Sequence, residues 1–232
     1  ALLDNEGRAL TLGELLDVLD PLLAYVRERH LPLTSDIDLA RPDGLRTALR
    51  TLQREGVVEV YDGGLEPVFA VAPDRYHEAA FYRNTLAHWF VYRAIAENAL
   101  LAAAESGGDV VDATWAAALE LRDLLKFEFF FPRKREFAED IRSEVNLARP
   151  GWAGEELDHD GVLKALDQTH LYVSHRIIGP FLEAYLVVAS RLADREPAAP
   201  IDQDALVQEC LGIAKQDWLM HRLHSPESIS RD

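Results

Sequence analysis

Cysteine is nearly missing from these 232 residues: Cys210 stands alone. No disulfide can close within the chain, and this usage points to a cytosolic rather than a secreted setting. Long apolar runs are missing too. The most apolar stretch, residues 177–192, carries Glu183 and a Gly-Pro pair and falls short of the ~20 residues that a bilayer-spanning helix needs. Positive charge is scarce, with 24 Lys and Arg against 40 Asp and Glu and a formal net charge of −16. That balance argues against non-specific nucleic-acid binding and gives no overall attraction to anionic lipid, although it allows local basic patches.

Reaction-centre patterns are absent as well. There is no Gly-x-Ser-x-Gly, no Walker-type glycine loop and no paired Cys-x-x-Cys. The eight histidines fit no metal pattern. His170 and His175 are five apart, off a shared helical face, while His221 and His224, three apart, supply one ligand pair at most. The residues by themselves therefore assign no catalytic group, no metal and no cofactor.

What is present describes an ordinary globular protein, 48% hydrophobic and 28% charged, long enough for one large domain or two small ones. Thr11 and Glu14 make a capping-box pattern ahead of leucines at helical spacing, and Pro21 predicts a kink or break in that first helix. A short helix over about 43–55 should end at Gly56. Residues 57–61, Asp62-Gly-Gly64 and residues 65–71 read as a β-hairpin, with Pro67 marking its second strand as an edge. Helix, helix, hairpin is the outline of a winged helix.

From Pro73 onward the periodicity is helical throughout. The expected fold is mainly α: a helical bundle over 74–232 with a small winged-helix-like subdomain, containing one β-hairpin, over 1–73. The longest helix should run from about 74 to 105. Its stretch from Phe81 to Ile95 is apolar on nearly every side, which predicts a buried, core-organising helix. Asn84 and His88, one turn apart in its middle, should then fix its orientation, because buried amide and imidazole groups need partners.

Three constellations each allow two readings. Arg46, Arg50 and Arg54 recur every four residues on one helix face; they are either a contact for a phosphate-bearing partner or a solvated face whose stems cover apolar surface. Residues 127–131, Phe-Glu-Phe-Phe-Phe, precede Arg133, Lys134 and Arg135. They are either an interfacial lipid anchor or a core segment, and five neighbouring positions cannot all face one side of a helix. Glu183 lies on a strongly apolar helix, so it is either paired, with Arg83 or Arg176 as partner, or a carboxyl held protonated. Ala1 without a preceding methionine, and the helix-start pattern Ser225-Pro226-Glu227 five residues before the end, read as a piece of a longer polypeptide or as a processed chain.

At residues 81–90, Phe-Tyr-Arg-Asn-Thr-Leu-Ala-His-Trp-Phe, the sequence resembles the C-terminal region of the glycerol-3-phosphate 1-O-acyltransferase family, of the bacterial membrane-bound and mitochondrial type. There a Tyr-Arg-Asn-x-x-x-His helix follows the acyltransferase domain. Residues 124–131 (Leu-Leu-Lys-Phe-Glu-Phe-Phe-Phe), 179–185 (Gly-Pro-Phe-Leu-Glu-Ala-Tyr) and 225–231 (Ser-Pro-Glu-Ser-Ile-Ser-Arg) agree in the same order, and residues 11–71 sit where the family has a helical connector.

The resemblance implies a parent enzyme, peripheral on the cytoplasmic face of the cell membrane. It would transfer an acyl group from acyl-CoA or acyl-carrier protein to the 1-hydroxyl of glycerol 3-phosphate. The family's dyad is His-x-x-x-x-Asp, with His as general base and Asp orienting it. No histidine here is followed by Asp five positions later, so the resemblance places the chemistry upstream of Ala1. It makes this chain a supporting domain whose partner is the catalytic domain of the same polypeptide. Tyr82, Arg83, Asn84, His88 and Glu183 would then form a polar core with a structural or supporting role. The competing expectation is a free-standing helical interaction module that binds protein or nucleic acid.

Overall fold

The computed structural model describes residues 2–4, 8–33, 36–106, 109–148, 150–151, 158–169, 173–196 and 200–229. The protein is mainly α-helical, and its described residues include a three-stranded antiparallel sheet. It divides into two compact units, Ala1–Leu86 and Ala87–Asp232.

In the first unit, strand β1 (Leu10–Thr11) leads directly into helix α1 (Leu12–Glu28). The start of α1 is fixed as its sequence demands. Thr11 Oγ1 accepts from the Glu14 amide at 3.2 Å, and Glu14 Oε2 accepts from the Thr11 amide at 2.8 Å. Helix α1 runs through Pro21 without a break. Leu15 on one side of it and Leu23, Tyr25 and Val26 on the other are all buried, so packing on both flanks outweighs the one lost backbone bond.

Helix α2 (Pro42–Arg54) stops at Gly56, whose φ is +76°. The Gly56 amide bonds the Gln53 carbonyl and the Val57 amide bonds the Leu52 carbonyl, which closes the helix end as a Schellman motif. Gly44, in the first turn of α2, sits where a Cβ would overlap the Asp38 carbonyl.

Strands β2 (Val58–Tyr61) and β3 (Val68–Val71) form the expected hairpin, and β1 adds a third strand, in the order β1-β3-β2. Strand β3 is therefore central, which corrects the edge assignment drawn from Pro67. That proline lies one residue before β3 begins, so its missing N–H removes nothing from the ladder. Leu10, Leu15, Leu45, Leu49 and Val58 form the core of this unit.

Helix α3 (Tyr76–Glu105) contains the division between the units. From residue 87 onward one side of it is buried, with Val91, Ala94, Ile95 and Ala99 at 2% exposure or less. Its first part is not: Phe81, Tyr82 and Leu86 are 67%, 56% and 45% exposed. The helix that reads as apolar all round is thus a core helix along only part of its length. Periodicity counts apolar residues and cannot say whether a neighbour covers them.

The second unit continues through α4 (Val110–Leu125), α5 (Lys134–Ala148), α6 (His159–Thr169), a single turn α7 (Ser174–Ile177), α8 (Gly179–Ala193) and α9 (Gln203–Leu219), with a 3-10 turn at Pro226–Ile229. Helices α4, α5 and α6 pack in sequence, α8 packs on α9, and both meet the terminal 3-10 turn. Phe137 is fully buried, its ring 5.4 Å from Phe131 and 5.6 Å from Tyr92; filling one such position is worth roughly 1.5–3 kcal/mol.

Candidate functional site

Tyr82 and Arg83, singled out by the sequence, lie in the first unit beside an open pocket of about 280 Å³. Leu15, Leu45, Leu49, Val58 and Val71 line it, and Tyr82 and Arg83 are the only polar side chains among the lining residues. The pocket is apolar because it opens onto the core between α1, α2 and the sheet. It can accept an apolar group.

The polar cluster expected around these residues takes a different form. Arg83 Nε and Nη2 donate to Asn84 Oδ1 at 3.2 and 3.0 Å, on the exposed side of the helix. Asn84 and His88 are exposed, and the His88 ring meets Trp89 edge-on at 6.0 Å.

A buried polar pair does exist, one to three turns further along α3. Arg93 Nε donates to Glu97 Oε1 at 3.1 Å, with both side chains 4% exposed. Glu97 Oε2 accepts the Val173 amide at 2.9 Å, across 76 positions of sequence. Sequence reasoning missed this pair. The signal was there, an Arg-x-x-x-Glu spacing inside the apolar run, but helical spacing alone cannot distinguish a buried pair from a surface one.

Glu183, on α8, meets donors from the closing segment. Its Oε1 accepts the His224 amide at 2.9 Å, and its Oε2 accepts the Ser225 amide at 3.1 Å and Ser228 Oγ at 2.8 Å. The donors are the backbone and hydroxyl of the closing segment, in place of the guanidinium expected from Arg83 or Arg176. All three are donors, so both carboxylate oxygens act as acceptors. Ser228 is 8% exposed. The carboxylate ties the last described turn to α8.

Residues 127–131 divide between inward and outward side chains. The Phe129 ring packs on Phe181 at 5.3 Å and the Phe131 ring on Phe137 at 5.4 Å, whereas Phe127 and Phe130 are 82% and 105% exposed. Between the inward pair and α8, the Tyr185 hydroxyl donates to Glu128 Oε1 at 2.8 Å. Burial, followed by that carboxylate, pushes the Tyr185 phenol up to about 12.

Arg46, Arg50 and Arg54 are all exposed on α2. Arg46 pairs with Asp43 at 3.3 Å and Arg54 donates to Thr51 Oγ1 at 3.4 Å, so part of the strip's charge is already engaged locally. His221, with φ +56°, holds the end of α9. His170 lies outside the described residues, as does the side chain of His175. Among the described residues no group of three or more His, Cys, Asp or Glu is placed to hold a metal, and no helix is long and apolar enough to cross a membrane.

The comparisons with known proteins agree along the whole chain. Residues 1–232 match the family described as glycerol-3-phosphate acyltransferase C-terminal region. Proteins of Mycobacterium bovis and of two strains of Mycobacterium tuberculosis, each named "Putative acyltransferase plsB1", are 38% identical over 235 residues, covering 97% of this chain. The chain spans 37% of the length of these relatives. A helical body that carries the Tyr82-Arg83-Asn84 helix and the Glu183 tie, matched from its first residue to its last, leads to one assignment: the chain belongs to the glycerol-3-phosphate acyltransferase C-terminal region family.

Proposed function

We propose that this chain is the non-catalytic C-terminal domain of a glycerol-3-phosphate acyltransferase, which packs on the catalytic domain of the same polypeptide and supports it. The parent enzyme would move an acyl group from acyl-CoA or acyl-carrier protein to the 1-hydroxyl of glycerol 3-phosphate, at the start of phospholipid synthesis. It would work as a peripheral protein on the cytoplasmic face of the membrane. The observation that carries this reading is the family match over residues 1–232, joined to relatives of which the chain spans only 37%.

Two further features support it. No histidine is followed by Asp five positions later, so the general base of the reaction has no candidate here. Phe81, Tyr82 and Leu86 present exposed apolar surface on α3, of the kind a neighbouring domain covers. Arg46, Arg50 and Arg54 would act, in this reading, as contacts for an anionic group.

The test is acyl transfer to glycerol 3-phosphate, measured for the full-length polypeptide and for residues 1–232 alone. The longer protein should be active and the shorter one inert. Transfer by residues 1–232 alone would overturn the division of labour.

A further inference from the structure

The segment from Lys126 to Arg135, which joins α4 to the first residues of α5, sorts its aromatic rings by direction. Phe129 and Phe131 are seated against Phe181 and Phe137. With those two rings fixed, Phe127 and Phe130 stand outward, and Leu124 at 43% exposure precedes them by one turn. The same ten residues hold four cations, Lys126, Arg133, Lys134 and Arg135, and one carboxylate, Glu128, in a chain whose formal net charge is −16. Glu128 is occupied by the Tyr185 hydroxyl, Lys134 pairs with Asp123 at 2.6 Å and Arg135 approaches Glu139 at 4.0 Å. Lys126 lies over the Phe127 ring at 5.2 Å.

We propose that this loop is a lipid-contacting tip. Phe127 and Phe130 enter the boundary between acyl chains and headgroups, while Lys126 and Arg133 meet the phosphates of anionic lipid. Charge complementarity selects this occupant: in a strongly acidic protein, Lys126 and Arg133 flank the two most outward phenylalanines along the chain, with Lys126 over the Phe127 ring. Shape agrees, because a projecting ring needs a matching socket on a folded partner, whereas a fluid bilayer accepts a convex tip. The proposal deepens the peripheral-membrane part of the proposed function and rests on it only for where the lipid is met.

The experiment is co-sedimentation of the 232-residue chain with vesicles of phosphatidylcholine, with or without about one third phosphatidylglycerol. Binding should favour the anionic vesicles and weaken with salt. Phe127→Ser/Phe130→Ser should cut the partition coefficient roughly tenfold or more, since two aromatic insertions are lost. Lys126→Glu/Arg133→Glu should lower it and flatten its salt dependence. The changed side chains are solvent-facing, so thermal melting should stay at the wild-type value in both variants.

Equal partition of the wild type and the serine variant would overturn the proposal. So would iodide quenching of a Phe130→Trp full-length polypeptide showing the ring already shielded without vesicles, because a protein surface would then cover it. Acyl transfer assayed in detergent stands apart from both readouts. Its absence with vesicle binding intact would remove the enzyme reading and leave the lipid-contacting tip.

Discussion

Arg93 and Glu97 form an ion pair one helical turn apart inside α3, each side chain 4% exposed, and the second Glu97 oxygen holds the Val173 amide. The pair therefore does more than neutralise itself: it ties α3 to the segment that opens α7. Removing one member leaves a buried charge without its counter-ion, which costs far more than the pair is worth as a whole. Arg93→Met and Glu97→Gln should each destabilise by about 3–5 kcal/mol. The double variant Arg93→Met/Glu97→Gln should recover part of that loss, because no charge remains stranded. Urea melts of the four proteins measure the coupling, and strictly additive losses would show that the two groups act independently.

Glu183 holds the closing segment through three donors. Glu183→Gln keeps the shape but turns one acceptor into a donor that faces donors. A loss of roughly 1–3 kcal/mol is expected, of the size of one or two charge-assisted hydrogen bonds. Hydrogen exchange should locate the change in the amides of His224 and Ser225. Unaltered protection there would mean that the carboxylate is not what fastens this turn.

His30 and His221 occupy left-handed backbone positions, φ +52° and +56°, at the ends of α1 and α9. In each case the amide bonds the carbonyl three residues back, and the next residue's amide bonds the one five back. The geometry is one that glycine adopts without a steric penalty. Replacing His221 by Gly should stabilise by about 0.5–1 kcal/mol after allowing for the looser unfolded chain, read as a rise in Tm of roughly 2–4 °C. A fall in Tm would show that the imidazole itself makes a contact worth more than the strain.

Glu209 accepts from Arg195 at 2.6 Å and from Arg191 at 2.8 Å. Those guanidinium hydrogen bonds, Arg195 first, hold its carboxyl below the ordinary value of 4.5. A carboxyl lowered in the folded state contributes stability that is fully present above pH 4.5 and lost as pH falls through the folded value. Thermal melts of the wild type and Glu209→Gln should therefore differ at neutral pH and converge on the acid side of 4.5. A difference that persists unchanged into acid would assign the effect to shape rather than charge.

Much of the architecture was legible from local rules. The Thr11–Glu14 capping box, the Gly56 stop and the hairpin around Asp62-Gly-Gly64 follow from backbone chemistry that operates within a few residues, and the structure has each of them. The family was legible too, since the motifs at 82–88, 124–131 and 179–185 lie in a fixed order, and the match covers the whole chain. Direction was not legible. Pro67 read as an edge marker because the third strand, β1, pairs from more than fifty residues away. Helix α3 read as a uniform core element, although only its later part is buried.

By itself, then, the sequence determined the helical character, the hairpin, caps and turns, the acidic balance and the family, because each depends on residue type and short-range spacing. Tertiary structure alone decided which phenylalanines of residues 127–131 face inward, that Glu97 reaches Val173, and that Glu183 is met by amides rather than a guanidinium. Those outcomes depend on which distant element arrives against a given side chain, and spacing along the chain carries no record of that arrival.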